Sequence, residues 1–128
     1  MYDIEDIPSI ADQAQRIEAV IVDCYGQVEE LAAFEVYLTD AMKFPFPATW
    51  RDPDEPEHTE SIKVLGVDTV DERRGILLSV ERTQHGGKRR RLPAEHVWAA
   101  DEGSANAIIL NDYRHWVNDL YGLTPGFD

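Results

Sequence analysis

Apolar residues in the first third of the chain follow a helical period. Between Ser9 and about Cys24 they recur every three or four positions, as Ile10, Ala14, Ile17, Val20 and Ile21, which predicts a helix with Ser9 as its N-cap. A second helical stripe ends before Pro45 and consists of Val28, Leu31, Phe34, Leu38 and Ala41. The chain therefore begins with two predicted helices.

The period then changes to that of strands. Residues 62–67 and 75–82 are short, rich in branched side chains and bounded by turn residues, so we predict two strands joined by a loop over 68–74. Gly86 and Gly87 predict a hairpin turn, because tight hairpins need positive φ. The chain returns through 89–93 and a short strand or turn at 96–98.

A third helix is predicted from about Ser104 to Tyr121, with an inner face of Ala105, Ile108, Ile109, Tyr113, Trp116, Val117 and Leu120. Several short strands in succession favour a small antiparallel barrel. We predict a single α+β domain over residues 1–128: a helical part over about 8–43, an SH3-like β-barrel over about 46–100, and a closing helix over about 104–121.

Residues 44–50 read Phe-Pro-Phe-Pro-Ala-Thr-Trp, a segment that we call the strap. Two prolines among aromatic rings fix φ and remove amide donors. We therefore expect an extended strap, held by its rings rather than by a sheet ladder, at the junction between helices and barrel.

The balance of acidic and basic residues limits the classes of partner that the protein can bind. With 25 acidic and 12 basic residues the net charge is −13, which disfavours a nucleic-acid partner because such binding rests on cationic side chains. The one basic block, 88–91, is expected to offset carboxylates of the protein itself. The same acidity also suits solubility in a salt-rich, halophilic cytoplasm.

The sequence contains neither a membrane-spanning segment nor a known catalytic motif. No apolar run reaches the roughly 20 residues that span a bilayer, and the acidic start does not look like a signal peptide, so we expect a cytoplasmic protein with no membrane contact. The single Cys24 excludes an internal disulfide. Four scattered histidines and the absence of known catalytic motifs predict that the protein is not an enzyme.

Carboxylates are the candidate chemistry, since calcium prefers oxygen ligands. Asp52, Asp54 and Glu57 follow the strap in an acidic run. Counted as an EF-hand loop from Asp52, the run fails, because the sixth position is Glu57 instead of glycine and the twelfth is Lys63 instead of glutamate. A calcium site would have to combine distant segments.

Three further aspartates lie beside predicted apolar faces, where a carboxylate is costly unless it has a partner. They are Asp23, Asp40 and Asp112. Each is a candidate calcium ligand. The alternative for each is an ion pair with Arg16, Arg51 or Arg114, or simple exposure.

Several segments together resemble a known family. They are Ile21-Val22-Asp23-Cys24-Tyr25, Tyr37-Leu38-Thr39-Asp40 leading into Phe44-Pro45-Phe46, Val64-Leu65-Gly66-Val67, and Ala107-Ile108 through Asp112-Tyr113-Arg114-His115-Trp116-Val117. In this order the chain, from about residue 16 to 121, resembles the prokaryotic CcbP-like calcium-binding proteins. The resemblance implies helices before the strap, an SH3-like barrel after it, and a closing helix.

The resemblance also implies function: an acidic, soluble protein that binds calcium through carboxylates as an ion buffer or sensor. Asp23 and Asp40 match acidic positions of the family pattern, and Asp112 matches the aspartate of its closing helix. Residues 88–93 depart from a more apolar stretch, and Tyr113 and His115 stand where the family has tryptophan and tyrosine. We expect Asp40 to matter more than the acidic run.

A different class of function stays open. An SH3-like module that presents Trp50 or Trp98 to a protein partner would use its acidity only for salt-adapted solubility.

Overall fold

The structure is a computed structural model that describes residues 11–121, with side chains described through residue 118. Three α-helices and five β-strands follow one another as α1 (Gln13–Ile21), α2 (Gln27–Ala41), β1 (Phe46–Arg51), β2 (Thr59–Asp71), β3 (Gly75–Arg82), β4 (Lys88–Pro93), β5 (Val97–Ala99) and α3 (Ala105–Tyr121). Ser9 and Ile10, at the predicted start of the first helix, lie outside the described residues.

The strands form one antiparallel sheet in the order β4-β3-β2-β1-β5. Within the described residues, β4 pairs with β3 and β5 pairs with β1, so the two end strands do not meet and the sheet stays open. The predicted α+β class is confirmed, but the SH3-like barrel is not. Closure would need pairing between β4 and β5, and β5 contains three residues.

The strap differs from its prediction. Residues 46–51 form β1, which lies inside the sheet and pairs with β2 on one side and β5 on the other. A proline lacks an amide donor but keeps its carbonyl, and the Ala100 N–H donates to the Pro47 carbonyl at 3.0 Å. The rings of Phe44 and Phe46 do contact, with centroids 5.8 Å apart. Ladder and ring contacts therefore both hold the strap.

The hairpins follow the turn residues. Gly86 and Gly87 have φ of 67° and 77°, as the predicted turn between β3 and β4 requires. The first predicted strand is longer than expected, because β2 continues to Asp71 through register shifts near Gly66 and Asp68. Such irregularities let a strand bend without ending.

The core lies between the helices and one face of the sheet. Phe34 and Leu38 of α2 are fully buried, as are Val64 and Val80 of the sheet and Tyr113 of α3. Helix α3 begins one residue later than predicted. The hydroxyl of Ser104 caps it by accepting a hydrogen bond from the Ala107 N–H at 3.2 Å.

The apolar faces predicted for α2 and α3 are buried only in part. On α2, Leu31 is buried, whereas Val28 is 67% exposed. On α3, Ile109 and Trp116 are buried, while Ala105 is exposed. None of the described helices is long and apolar enough to cross a membrane.

Candidate functional site

The loop from residue 52 to residue 58, which we call the acidic loop, connects β1 to β2. Asp52 organises it: one carboxylate oxygen accepts the N–H groups of Asp54 at 2.9 Å and Glu55 at 3.3 Å. The Asp52 N–H in turn donates to the His58 carbonyl at 3.0 Å. An aspartate that bonds its own following amides is a common turn former. Asp52 therefore has a structural role in the loop.

The other carboxylates of the acidic loop face solvent. Asp54, Glu55 and Glu57 are exposed, and they follow one another within a few residues of a closed turn. Oxygen donors of this type suit calcium. Three of the predicted ligands, Asp52, Asp54 and Glu57, thus share a single loop.

Asp23 and Asp40 lie at opposite ends of α2. Asp23 precedes the helix in a left-handed conformation, with φ of 65°, and Asp40 lies in its last turn. Both are exposed. The helical rise places them about 20 Å apart along the axis, so one ion cannot be ligated by both.

Asp112 is fully buried and bonds to two other helices. Its carboxylate accepts hydrogen bonds from the Arg16 Nε at 2.8 Å and from the Tyr37 hydroxyl at 2.9 Å. The ion pair with Arg16, foreseen as the alternative to calcium ligation, is therefore formed. We call this trio the helix latch.

The contacts of the helix latch shift the pKa values of its two hydrogen-bond donors. Burial and the hydrogen bond to Asp112 raise the pKa of Tyr37 to about 12. The hydrogen bond to Asp112 raises the pKa of Arg16. Both donors therefore stay protonated across the physiological pH range, so Asp112 keeps both of its hydrogen bonds there.

Glu60 is a further carboxylate with a clear structural role, and it is not among the predicted ligands. Glu60 follows the acidic loop as the second residue of β2. It is 9% exposed and accepts hydrogen bonds from Arg82 Nε at 2.6 Å and Nη2 at 2.8 Å. This pair lowers the pKa of Glu60. The signal was present, because Glu60 shares the strand alternation of Ile62 and Val64, which face the core.

The aromatic residues proposed for a protein partner are engaged within the fold. Trp98 lies between two cations, with Arg114 at 3.7 Å and Arg51 at 4.4 Å from its ring centroid. Trp50 packs edge-on against His58, with ring centroids 6.3 Å apart. Both tryptophans are half-buried. These contacts give them a packing role in the fold.

The basic block lies on the end strand β4, where its residues are exposed. Arg91 forms an ion pair with Asp68 at 3.1 Å. Asp68 belongs to β2, the second strand from β4 in the sheet, so the block offsets a carboxylate of the protein itself, as the sequence led us to expect.

A formed metal site needs several ligands in one place. Within residues 11–121, no three acidic, histidine or cysteine side chains are grouped so that they could hold an ion. The predicted ligands fit calcium in chemical type, but this conformation leaves them in four places: the acidic loop, the two ends of α2, and the helix latch.

The fold and these carboxylates define a class of small acidic α+β protein that offers oxygen donors to cations. More narrowly, the sequence matches the CcbP family, described as calcium binding, over residues 15–117. The chain therefore belongs to the CcbP calcium-binding family. That description names ion binding and no reaction. No curated protein matches the sequence.

Two solved structures have a similar fold. One is described as a calcium binding protein in the calcium-binding form; it is 20% identical, the alignment covers 94% of this chain and 98% of that one, and the TM-score is 0.73. The other is the crystal structure of Anabaena CcbP, 22% identical, with 94% and 95% of the two chains covered and a TM-score of 0.64. At these identities the likeness establishes the fold.

Proposed function

We propose that the protein binds calcium through surface carboxylates and acts in the cytoplasm as an ion buffer or sensor. The observation that carries the proposal is the family match, which runs from α1 to Val117 of α3. The similarity in fold to a calcium binding protein in its calcium-binding form supports it. So does the net charge of −13, which concentrates cations near the surface.

The acidic loop is our choice for the first point of capture. It places Asp54 and Glu57 at the surface of one short turn, close in sequence to Asp52, whose other carboxylate oxygen could join them. Since the described residues contain no finished ligand group, water or a rearranged segment would complete the coordination. Sites that keep more water and fewer charged ligands bind calcium more weakly.

Asp112 is the least suitable of the six predicted ligands. Binding an ion there would displace Arg16 and Tyr37 from a fully buried carboxylate. Removing one partner of a buried ion pair is costly. We therefore propose that Asp112 stabilises the fold and that the exposed carboxylates bind the ion.

Calorimetric titration tests the proposal. Chelator-treated protein is titrated with calcium, and with magnesium at the same ionic strength. We expect calcium to release or absorb heat with defined stoichiometry and to raise the melting temperature. A ligand at 100 times its Kd stabilises the folded state by about 2.7 kcal/mol. If calcium and magnesium act equally, and no more than added salt does, specific binding is wrong.

Variants locate the site. We expect D54N/E57Q to weaken calcium binding at least about tenfold, because two charged ligands are lost. E18Q/E102Q, at two exposed positions outside the loop, is the matched control for the general loss of two charges. If D40N abolishes binding while D54N/E57Q does not, the loop assignment is wrong and the expectation drawn from the sequence for Asp40 holds.

A further inference from the structure

Helix α2 has a second apolar stripe that the core does not use. Leu31, Phe34 and Leu38 point into the core. Val28, Ala32 and Val36, spaced four residues apart, lie on a neighbouring face, where Val28 is 67% and Val36 is 57% exposed. One stripe would suffice to pack the helix.

This exposure is concentrated in one region. The large apolar side chains that are exposed in the described part of the chain are Val22, Tyr25, Val28 and Val36, and all lie between residues 22 and 36. Val22 and Tyr25 precede the helix as single exposed residues, which need no explanation. Val28 and Val36 lie two turns apart on one face of α2, and an exposed apolar face of this kind marks a contact surface.

A cavity adjoins the exposed stripe. It has a volume of about 400 Å³ and lies between α2 and the far end of β2. Its apolar lining residues are Val28, Leu31, Ala32 and Val70, and the acidic residues Glu35 and Glu72 also line it. We call the cavity together with the adjoining Val36 the α2 groove.

We propose that the α2 groove docks a basic amphipathic helix of a protein partner. Apolar side chains of that helix would enter the cavity and cover Val36, and its lysines or arginines would meet Glu35 and Glu72. Helices that lay an apolar face into a groove do so through anchors three or four residues apart. The exposed stripe spans about 12 Å, which matches two turns of such a helix.

Charge selects this occupant over others. A second copy of the chain would bring the same carboxylates and the same net charge of −13, and an acidic peptide would also be repelled. For a basic amphipathic helix, both the apolar contact and the attraction of opposite charges favour binding. Trp98 of the sheet lies outside this groove and contacts Arg51 and Arg114 instead.

Fluorescence anisotropy tests this groove, independently of calcium, in the presence of a chelator. The probe is a labelled 14-residue leucine–lysine peptide designed as an amphipathic helix, and the control probe has glutamate in place of each lysine. We expect saturable binding of the basic peptide and none of the acidic one. Absence of binding by the basic peptide at 100 μM would overturn the proposal.

Variants separate docking from general attraction. We expect V28S/V36S to weaken binding of the basic peptide about tenfold, and E35Q/E72Q to weaken it and flatten its salt dependence. Y25S, at a position 85% exposed and outside the cavity lining, should change affinity less than twofold. Circular dichroism confirms that each variant is folded.

Two results contradict the proposal. One is equal binding of the basic peptide to V28S/V36S and to the unaltered protein, which would show attraction to the acidic surface alone. The other is a dimer in sedimentation that V28S/V36S dissolves, which would assign the α2 groove to a second copy of the chain.

Discussion

At the scale of single residues, the helix latch shows how one carboxylate can join three helices. Asp112 on α3 accepts hydrogen bonds from Arg16 on α1 and from Tyr37 on α2. A buried charge is tolerated when hydrogen bonds and an opposite charge compensate its desolvation. The aspartate that the sequence marked as a ligand therefore contributes to the packing of the helices.

We expect D112N to lower the free energy of unfolding by about 2–4 kcal/mol, because it leaves Arg16 without its anionic partner. Urea denaturation at neutral pH measures the change. D40N, at an exposed position, is the matched control and should stay within about 0.5 kcal/mol. Unchanged stability together with lost calcium binding in D112N would instead make Asp112 a ligand.

The buried imidazole of His96 predicts that the stability of the fold depends on pH in the acid range. Burial lowers the pKa of His96 to about 4, while an unfolded chain has the ordinary value near 6.5. The folded state thus favours neutral His96. Its contribution to stability is complete above about pH 6.5 and is lost as the pH falls toward 4.

We therefore expect the unaltered protein to lose up to about 3 kcal/mol more stability than H96Q between pH 7 and pH 4. Urea denaturation at several pH values gives the difference between the two proteins, which cancels the carboxylates common to both. Parallel pH profiles for the two proteins would show that His96 does not favour its neutral form in the fold.

At the scale of elements, local signals predicted well what local forces decide. The β3 strand, the Gly86–Gly87 turn and the start of α3 at Ser104 depend on side-chain period, positive φ and capping. These are properties of neighbouring residues, so the sequence displays them directly. Their predicted and observed boundaries agree within one residue.

Elements defined by pairing were harder to predict. Two prolines argued against a ladder in the strap, yet β1 lies between β2 and β5 because its remaining amides and carbonyls still find partners. On α2, Val28 fits the helical stripe but is exposed. The spacing of apolar residues predicts which residues share a face of a helix. Whether another element covers that face depends on the tertiary structure.

The candidate site was predictable to a similar extent. The sequence nominates all six carboxylates by type and neighbourhood, and it also names Arg16 as an alternative partner for Asp112. It does not show that Asp23 and Asp40 are separated by the length of α2, or that Glu60 binds Arg82. Those relations join residues distant in the chain or depend on element length and direction.

At the scale of the whole molecule, the large negative net charge is the main influence on stability. With a net charge of −13 over 128 residues, repulsion among carboxylates opposes the compact state. Salt bridges such as Arg91–Asp68 offset this repulsion only locally. Small ions in solution should therefore influence stability across the molecule.

We expect the melting temperature to rise as sodium chloride increases from 10 mM to 500 mM, because the screening length shrinks from about 30 Å to about 4 Å. Differential scanning calorimetry in a chelator measures the rise, and potassium chloride is the control for ion-specific effects. A melting temperature that is independent of salt would show that carboxylate repulsion does not limit stability.

The sequence by itself determined the helices, most strands, the hairpin turn, the acidity and the resemblance to the CcbP family, because period, turn chemistry and composition are written in consecutive residues. The tertiary structure alone decided that the sheet stays open, that Asp112 closes the helix latch, and that α2 keeps a second apolar stripe at the surface. These features depend on which distant residues meet, and the chemistry of a single segment does not specify its partner.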